Sequence, residues 1–222
     1  MIRAVVFDFD GVLVDSVDVK TEAFVSLFEG EGEEVVRRVV DYHLEHGGIS
    51  RLEKFRFIYR EILCRPLSEE KLHFLCKNFS RIVVGQVVST RWVDGAEEFL
   101  KRNKNNYKFF IVSGTPDEEL RSIVKQRRIN FLFDAVFGSP KAKDLLLNEL
   151  VDLYDLRSNE VVFIGDAMTD WQAAKSAGIQ FIWKRASKNT PPMLSFEGPI
   201  ISNLHQLEDC LEKITSGKSS LN

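Results

Sequence analysis

An apolar run that starts at the fourth residue and ends on two acids, Ala4-Val5-Val6-Phe7-Asp8-Phe9-Asp10-Gly11, constrains this chain more than any other feature. A short β-branched run closed by a glycine turn is the pattern of a strand buried on both faces of a parallel sheet. Open α/β sheets bind ligands beyond the carboxyl ends of such strands, where Asp8 and Asp10 fall. Two carboxylates crowded there repel each other and lose solvation. A fold tolerates that when the acids hold a cation or exchange protons. A lone Asp-x-Asp also suits a plain turn, since aspartate is a common turn residue, so the other strand ends decide.

After this strand the period changes. Segments 18–29, 33–46, 50–63 and 68–83 carry apolar residues at helical spacing with charges between them. Gly47-Gly48 stops one helix, Ser50 with Glu53 has capping-box spacing, and Ser68 is an N-cap candidate after Pro66. From about residue 92 strands and helices alternate. Helices are expected near 95–104, 116–127, 142–154, 169–177 and 203–215. Strands are expected at 108–112, 135–137, 161–164 and 180–183, with a weak one at 199–201. The fold class that follows is α/β, a Rossmann-like, doubly wound parallel sheet with an all-helical insert after its first strand. Residues 1–15 and 89–222 are expected to form the core and 16–88 the insert, with 216–222 frayed.

Composition excludes several classes. The chain has 222 residues, enough for a core with an insertion, and a formal net charge of −3, which argues against a general nucleic-acid binder. No apolar run approaches membrane-spanning length. Cys64, Cys76 and Cys210 are scattered, as expected of buried thiols in a reducing cytosol, and no signal peptide is expected before the first strand. A cytoplasmic protein, monomeric or weakly dimeric, is the expectation.

Two more long strands end in polar residues: Ser113-Gly114-Thr115, and Gly165-Asp166 with Asp170 four residues on. The short strand is followed by Gly138-Ser139-Pro140-Lys141-Ala142-Lys143. In a parallel sheet these ends share one edge, which gathers four carboxylates, a hydroxyl and one or two ammonium groups. Hard oxygen donors in that number suit Mg²⁺. A nucleophile, a metal and fixed positive charge are the parts that phosphoryl transfer needs. Glycines beside Asp10 and Ser113 let backbone N–H groups approach an anion.

The set Asp8-x-Asp10-Gly11-Val12-Leu13-x-Asp15-Ser16, Ser113-Gly114-Thr115, Lys143 and Gly165-Asp166-x-x-x-Asp170 resembles the haloacid dehalogenase superfamily of phosphotransferases, over about residues 1–215. The insert resembles that superfamily's C1-type cap. The resemblance implies Asp8 as nucleophile and Asp10 as general acid and base, its backbone carbonyl also a metal ligand. It implies Ser113 on the phosphoryl group and Lys143 balancing charge. Asp166 and Asp170 complete a metal set of Asp8, Asp10, Asp166 and Asp170. The Gly-Ser-Pro-x-x-Lys spacing selects Lys143 over Lys141, which is read as a solvated loop charge. Asp15 is expected to cap the hinge. His43, His73 and His205 are expected at the surface or in packing, and Trp92, Trp171 and Trp183 in the core or at its edge.

The substrate is expected to be a small phosphorylated metabolite, held by Gly114 and Thr115 from the core and by Lys20, His46, Gly48, Ser50 and Arg51 from the cap. A glycine turn opening a helix is a reasonable anion site. Gly48-Ile49-Ser50-Arg51 also resembles the Gly-Val-Ser-Arg segment with which β-phosphoglucomutase caps grip a second phosphate. Those mutases carry a His where this chain has Lys20, and an acid where it has Gly165. The resemblance therefore implies a Mg²⁺-dependent phosphatase first, a phosphomutase second, and a non-catalytic phosphosugar-binding protein third.

Overall fold

The structure, a computed structural model, describes residues 1–186, 193 and 196–216. The expectation for 217–222 lies outside them. Among the described residues six parallel strands run in the order β3-β2-β1-β4-β5-β6, where β1 is Ala4–Phe7, β2 Lys108–Pro116, β3 Ala135–Ser139, β4 Val161–Gly165, β5 Gln180–Lys184 and β6 Ile200–Ile201. β1 is central, in register with Lys108–Ile111 on one side and Val161–Ile164 on the other. The strand order reverses beside it, and the ends of β1, β2 and β4 open onto one crevice.

Side chains alternate between two cores, as strand geometry requires. Val5, Phe7, Phe109, Ile111, Val162 and Ile164 face one core with α5 (Ala96–Asn103), α6 (Asp117–Gln126) and α9 (Leu207–Thr215). Ala4, Val6, Phe110, Val112, Val161 and Phe163 face the other with α7 (Lys143–Leu153) and α8 (Met168–Ser176). Helices on both faces make the sheet doubly wound, as expected.

The cap consists of α1 (Val17–Phe28), α2 (Glu33–Glu45), α3 (Arg51–Phe57) and α4 (Glu69–Ser89). Phe24, Phe55 and Phe79 fill its centre within 6.2 Å of one another. That cluster is continuous with the core beneath α6.

Several elements differ from their expected bounds. The helix expected over 50–63 stops at Phe57 and widens into a π-type turn, Ile58–Ile62, whose Glu61 carbonyl accepts from Arg38 at 3.2 Å. α4 runs six residues past 83, because Val83 and Val87 are buried one turn apart and packing overrides the weak propensity of a Val- and Gly-rich stretch. Strand β2 continues through Ser113-Gly114-Thr115, since the adjacent β3 pairs with it again at Pro116 after a register shift. Asp15 does not cap α1. Its carboxylate accepts from Arg91 at 2.6 and 2.9 Å, tying the outgoing chain to the returning one. None of the three thiols is fully buried as expected: Cys64 is exposed and Cys76 and Cys210 are half-buried, and all three are free. No helix among the described residues is long and apolar enough to cross a membrane.

Candidate active site

Asp8 leaves the end of β1 and is 3 % exposed. Its Oδ1 accepts from the Phe9 amide at 2.7 Å and lies 3.1 Å from Lys143 Nζ. Burial pushes its pKa up to about 6; Lys143 opposes that rise, and Asp170 and Asp10 add to it. Lys143 opens α7 and is buried between two acids, with Asp170 Oδ1 at 2.5 Å. Those acids hold its ammonium above the ordinary lysine range despite burial. Lys141 points outward to Glu149 at 2.5 Å. Asp170 has a second tie: its Oδ2 accepts from the Ala167 amide at 3.1 Å. Gly165 makes this possible, because a Cβ there would collide with the Asp170 side chain.

Oxygens of Asp8, Asp166 and Asp170 lie within 4.8 Å of one another. Asp166 stands well above the usual carboxylate range, first through burial and then through the charges of Asp8 and Asp170. Three hard oxygen donors crowded together, with Asp8 and Asp166 both raised, fit a divalent cation, which would neutralise them together. Asp10's carboxylate is not in this group. It is turned to the cap: Oδ1 accepts from Ser16 at 2.6 Å, and Oδ2 accepts from Lys20 and from Thr115 at 3.0 Å. Burial alone would raise its pKa, but the Lys20 charge and these donors outweigh burial and lower it. Ser113 is buried beside them, its Oγ accepting from the Thr115 amide at 3.2 Å.

The cap loop lies directly on these groups. Thr169 Oγ1 donates to the Gly47 carbonyl at 2.7 Å. Gly48, at φ +76°, sits against Thr169, Asp170 and Lys143 where no side chain fits. Beneath the loop is a cavity of about 360 Å³ lined by Asp8, Asp10, Ser113, Gly114, Thr115 and Asp166 from the core and by Lys20, Gly48 and Arg51 from the cap.

Three cap expectations change. His46 does not line this cavity: its ring lies tilted against Tyr42 at 4.2 Å and its Nδ1 faces the Tyr42 carbonyl. Ser50 is outside the cavity as well, its Oγ spent capping α3 by accepting from the Glu53 amide. Arg51 reaches the cavity wall but is not a free anion site. It is 6 % exposed, donates to Glu119 and to Ser80 at 2.7 Å, and lies 4.6 Å from the Phe79 ring centroid.

Glu119 and the pairing of His43 with Lys54 escape sequence reasoning here. Glu119, on α6, is an ordinary first-turn acid in sequence. His43 and Lys54 sit on different cap helices with no motif linking them. Yet both are buried and both line the cavity. His73 is exposed and His205 faces Asp94 at 3.2 Å. Trp183 is buried and its indole donates to the Asp166 carbonyl at 3.3 Å; Trp92 and Trp171 are half-buried at the core edge.

A family model for haloacid dehalogenase-like hydrolases matches residues 5–184. The phosphoglycolate phosphatase of Aliivibrio fischeri is 24% identical over 186 residues, covering 80% of this chain and 81% of that protein. Among solved structures, β-phosphoglucomutase from Clostridium difficile superposes with a TM-score of 0.79 at 20% identity, covering 98% of this chain and 99% of that one. A haloacid dehalogenase-type hydrolase from Bacillus subtilis, solved bound to magnesium, superposes with a TM-score of 0.70 at 17% identity, covering 95% and 99%. At these identities the structural likeness speaks to the fold.

Proposed function

The chain belongs to the haloacid dehalogenase-like hydrolases, and on that premise we propose that it is a Mg²⁺-dependent phosphatase. It hydrolyses a small phosphate monoester through an aspartyl-phosphate on Asp8. One observation carries this reading. Lys143 is buried between Asp8, at 3.1 Å, and Asp170, at 2.5 Å, inside a three-acid cluster roofed by the cap loop. A fixed cation beside a carboxylate nucleophile is what lets that carboxylate approach a phosphate dianion.

Both polar contacts of Asp8 fall on Oδ1, which leaves Oδ2 for phosphorus. In the first step Oδ2 attacks, the P–O ester bond breaks, and the ester oxygen leaves with its electron pair and takes a proton from Asp10. In the second step water attacks the aspartyl-phosphate, Asp10 takes the water proton, and inorganic phosphate leaves Asp8 as a carboxylate. The lowered pKa of Asp10 supports the second of its two roles most directly, because Lys20 favours the basic form. Asp166 and the non-attacking Oδ1 of Asp8 would hold the Mg²⁺, with Asp170 behind them and the Asp10 carbonyl as a further candidate. Bound there, the ion would supply charge stabilisation for the transferring phosphoryl oxygens. The magnesium-bound Bacillus relative and the phosphatase relative support this assignment.

A phosphomutase is the second reading, favoured by the Gly48–Arg51 segment. That segment would grip a second phosphate through its guanidinium, and Arg51 is already committed to Glu119 and Ser80. An acid at 165 would also collide with Asp170. Both observations favour hydrolysis. The test is phosphate release from a panel of monoesters. Wild type is expected to release inorganic phosphate over many turnovers without a bisphosphate primer, and Asp8→Asn, of nearly equal shape, to release none. Undiminished release by Asp8→Asn would overturn the mechanism.

A further inference from the structure

The cavity contains a second polar pair, contributed by the cap, that phosphoryl transfer does not use. Lys54 is 4 % exposed, and its ammonium donates to His43 Nδ1 at 2.8 Å and to the His43 carbonyl at 3.0 Å. An ammonium has three donors and no acceptor, so His43 accepts at Nδ1 and carries its proton on Nε2. Two donors of the pair are then left over: the third N–H of Lys54 and the His43 Nε2, which is buried with no hydrogen-bond partner among the described residues. Three cap cations line the cavity. Lys20 is matched by Asp10 and Arg51 by Glu119. Lys54 has no carboxylate within ion-pair reach among the described residues. It feels Asp10 and Asp166 only as distant charges, opposed by Lys20 and Lys143. A buried cation with only neutral partners is costly to the fold. Such a cost persists where the missing counter-ion arrives with a ligand.

We infer that Lys54, held in place by His43, receives a carboxylate on the leaving-group side of the substrate, so that the preferred substrates are small phosphorylated carboxylic acids. The inference rests on the phosphatase reading for the identity of the other end. One ammonium suits one carboxylate charge. A second phosphate, a dianion with three acceptor oxygens, is better met by a guanidinium, and the one guanidinium that lines the cavity among the described residues, Arg51, is paired with Glu119 and Ser80. A sugar would need partners for several hydroxyls, whereas Phe24, Ile49 and Phe79 are part of the cavity lining, the Phe24 ring centroid 6.0 Å from Lys54 Nζ. Lys54 touches the substrate in this assignment. His43 is a positioning residue, because it fixes where the ammonium points.

The experiment compares 2-phosphoglycolate with 2-hydroxyethyl phosphate, which is similar in size but neutral at the far end. Wild type is expected to favour the acid by about 10²-fold in kcat/KM, the range for pairing a desolvated charge. Lys54→Met is expected to collapse that ratio at least tenfold, mainly through KM, and Lys54→Arg to restore part of it. His43→Asn should lower the ratio with Lys54 still present. An unchanged ratio in Lys54→Met, or a wild-type preference for the neutral ester, would overturn the inference. The phosphatase reading fails separately, if wild type releases phosphate from neither ester nor from p-nitrophenyl phosphate. Calorimetric binding of 2-phosphoglycolate to Asp8→Asn and to Asp8→Asn/Lys54→Met needs no turnover and still decides the matter: weaker binding by the double variant supports the carboxylate site, and equal binding rejects it. Thermal melts confirm that Lys54→Met folds.

Discussion

Gly48 of the cap and Gly114 of the core meet backbone to backbone: a Cβ on Gly114 would lie 2.5 Å from the Gly48 carbonyl oxygen. The two glycines therefore define how near the cap can come to the end of β2. The contact roofs Asp8 and Lys143, and closing a site in this way excludes bulk water and strengthens the charges inside it.

Gly48→Ala tests that roof. The residue sits at φ +76°, and an added Cβ would meet Thr169 Oγ1. The loop must then lift off Thr169 and lose the Gly47 carbonyl bond. The expected outcome is a kcat/KM loss of about 10–10²-fold, the size that small misplacements of closing elements produce, with an unchanged circular dichroism spectrum. Wild-type kinetics in Gly48→Ala would mean that closure does not depend on this contact.

Lys143 and Lys141 are two residues apart but opposite in environment. Lys143→Ala leaves Asp8 and Asp170 facing each other without a cation. Turnover is expected to fall by about 10² or more, the scale for losing one preorganised charge stabiliser. Lys141→Ala loses only the exposed pair with Glu149, so its rate and melting temperature should stay near wild type. The reverse ranking would assign the site to the wrong lysine.

Arg51 carries a structural prediction in place of the anion-binding role that its position suggested. Its guanidinium is 5% exposed and Glu119 9%, so Arg51→Ala leaves Glu119 buried and uncompensated. Breaking one side of a buried pair costs about 3–5 kcal/mol. A denaturant midpoint unchanged by Arg51→Ala would show that the pair contributes nothing to holding the cap on α6.

The contrast between Arg51 and Asp8 shows what the sequence could convey. Asp8, Asp166 and Lys143 were legible because a parallel sheet puts successive strand ends on one edge, so their convergence follows from topology alone. The alternating strands and the cap's four helices were legible from period. Arg51 was misjudged because its partner, Glu119, comes from another domain layer, 68 residues away, and no period encodes that pairing. The pairing of His43 with Lys54, across two cap helices, is likewise encoded by no period. His46 and Ser50 lie in the right loop, but loop membership does not say which side chain turns inward. β2 and α4 ran long because pairing and burial overrode glycine, serine and valine propensities.

Metal dependence follows from the acid cluster. Chelation is expected to abolish phosphate release and Mg²⁺ to restore it, with Asp166→Asn needing a higher Mg²⁺ concentration for half-maximal activity. Ca²⁺ accepts more ligands and a looser geometry, so it is expected to compete without supporting turnover. Full activity in excess chelator would contradict the assignment.

The pH dependence of stability isolates Lys54. Burial first, then the Lys20 charge, lowers its pKa from 10.5 to about 7, with Asp10 and Asp166 pulling the other way and Lys143 adding to the fall. Its neighbour His43 is lowered to about 3 and stays neutral through this range. Between about pH 7 and 10.5 the unfolded chain binds a proton at Lys54 that the folded chain does not, so stability attributable to this residue rises with pH across that window. The slope is at most about 1.4 kcal/mol per pH unit for one proton. Below pH 7 the penalty is fully present. Lys54→Met removes it at every pH. The metal-free variant is therefore expected to be more stable than wild type at pH 7, and the gap to narrow towards pH 10. Saturating 2-phosphoglycolate should shrink the gap at pH 7 as well, since a carboxylate on Lys54 restores its counter-ion. A gap that is constant with pH would mean that Lys54 keeps its proton in the folded state and that its surroundings compensate it without a ligand.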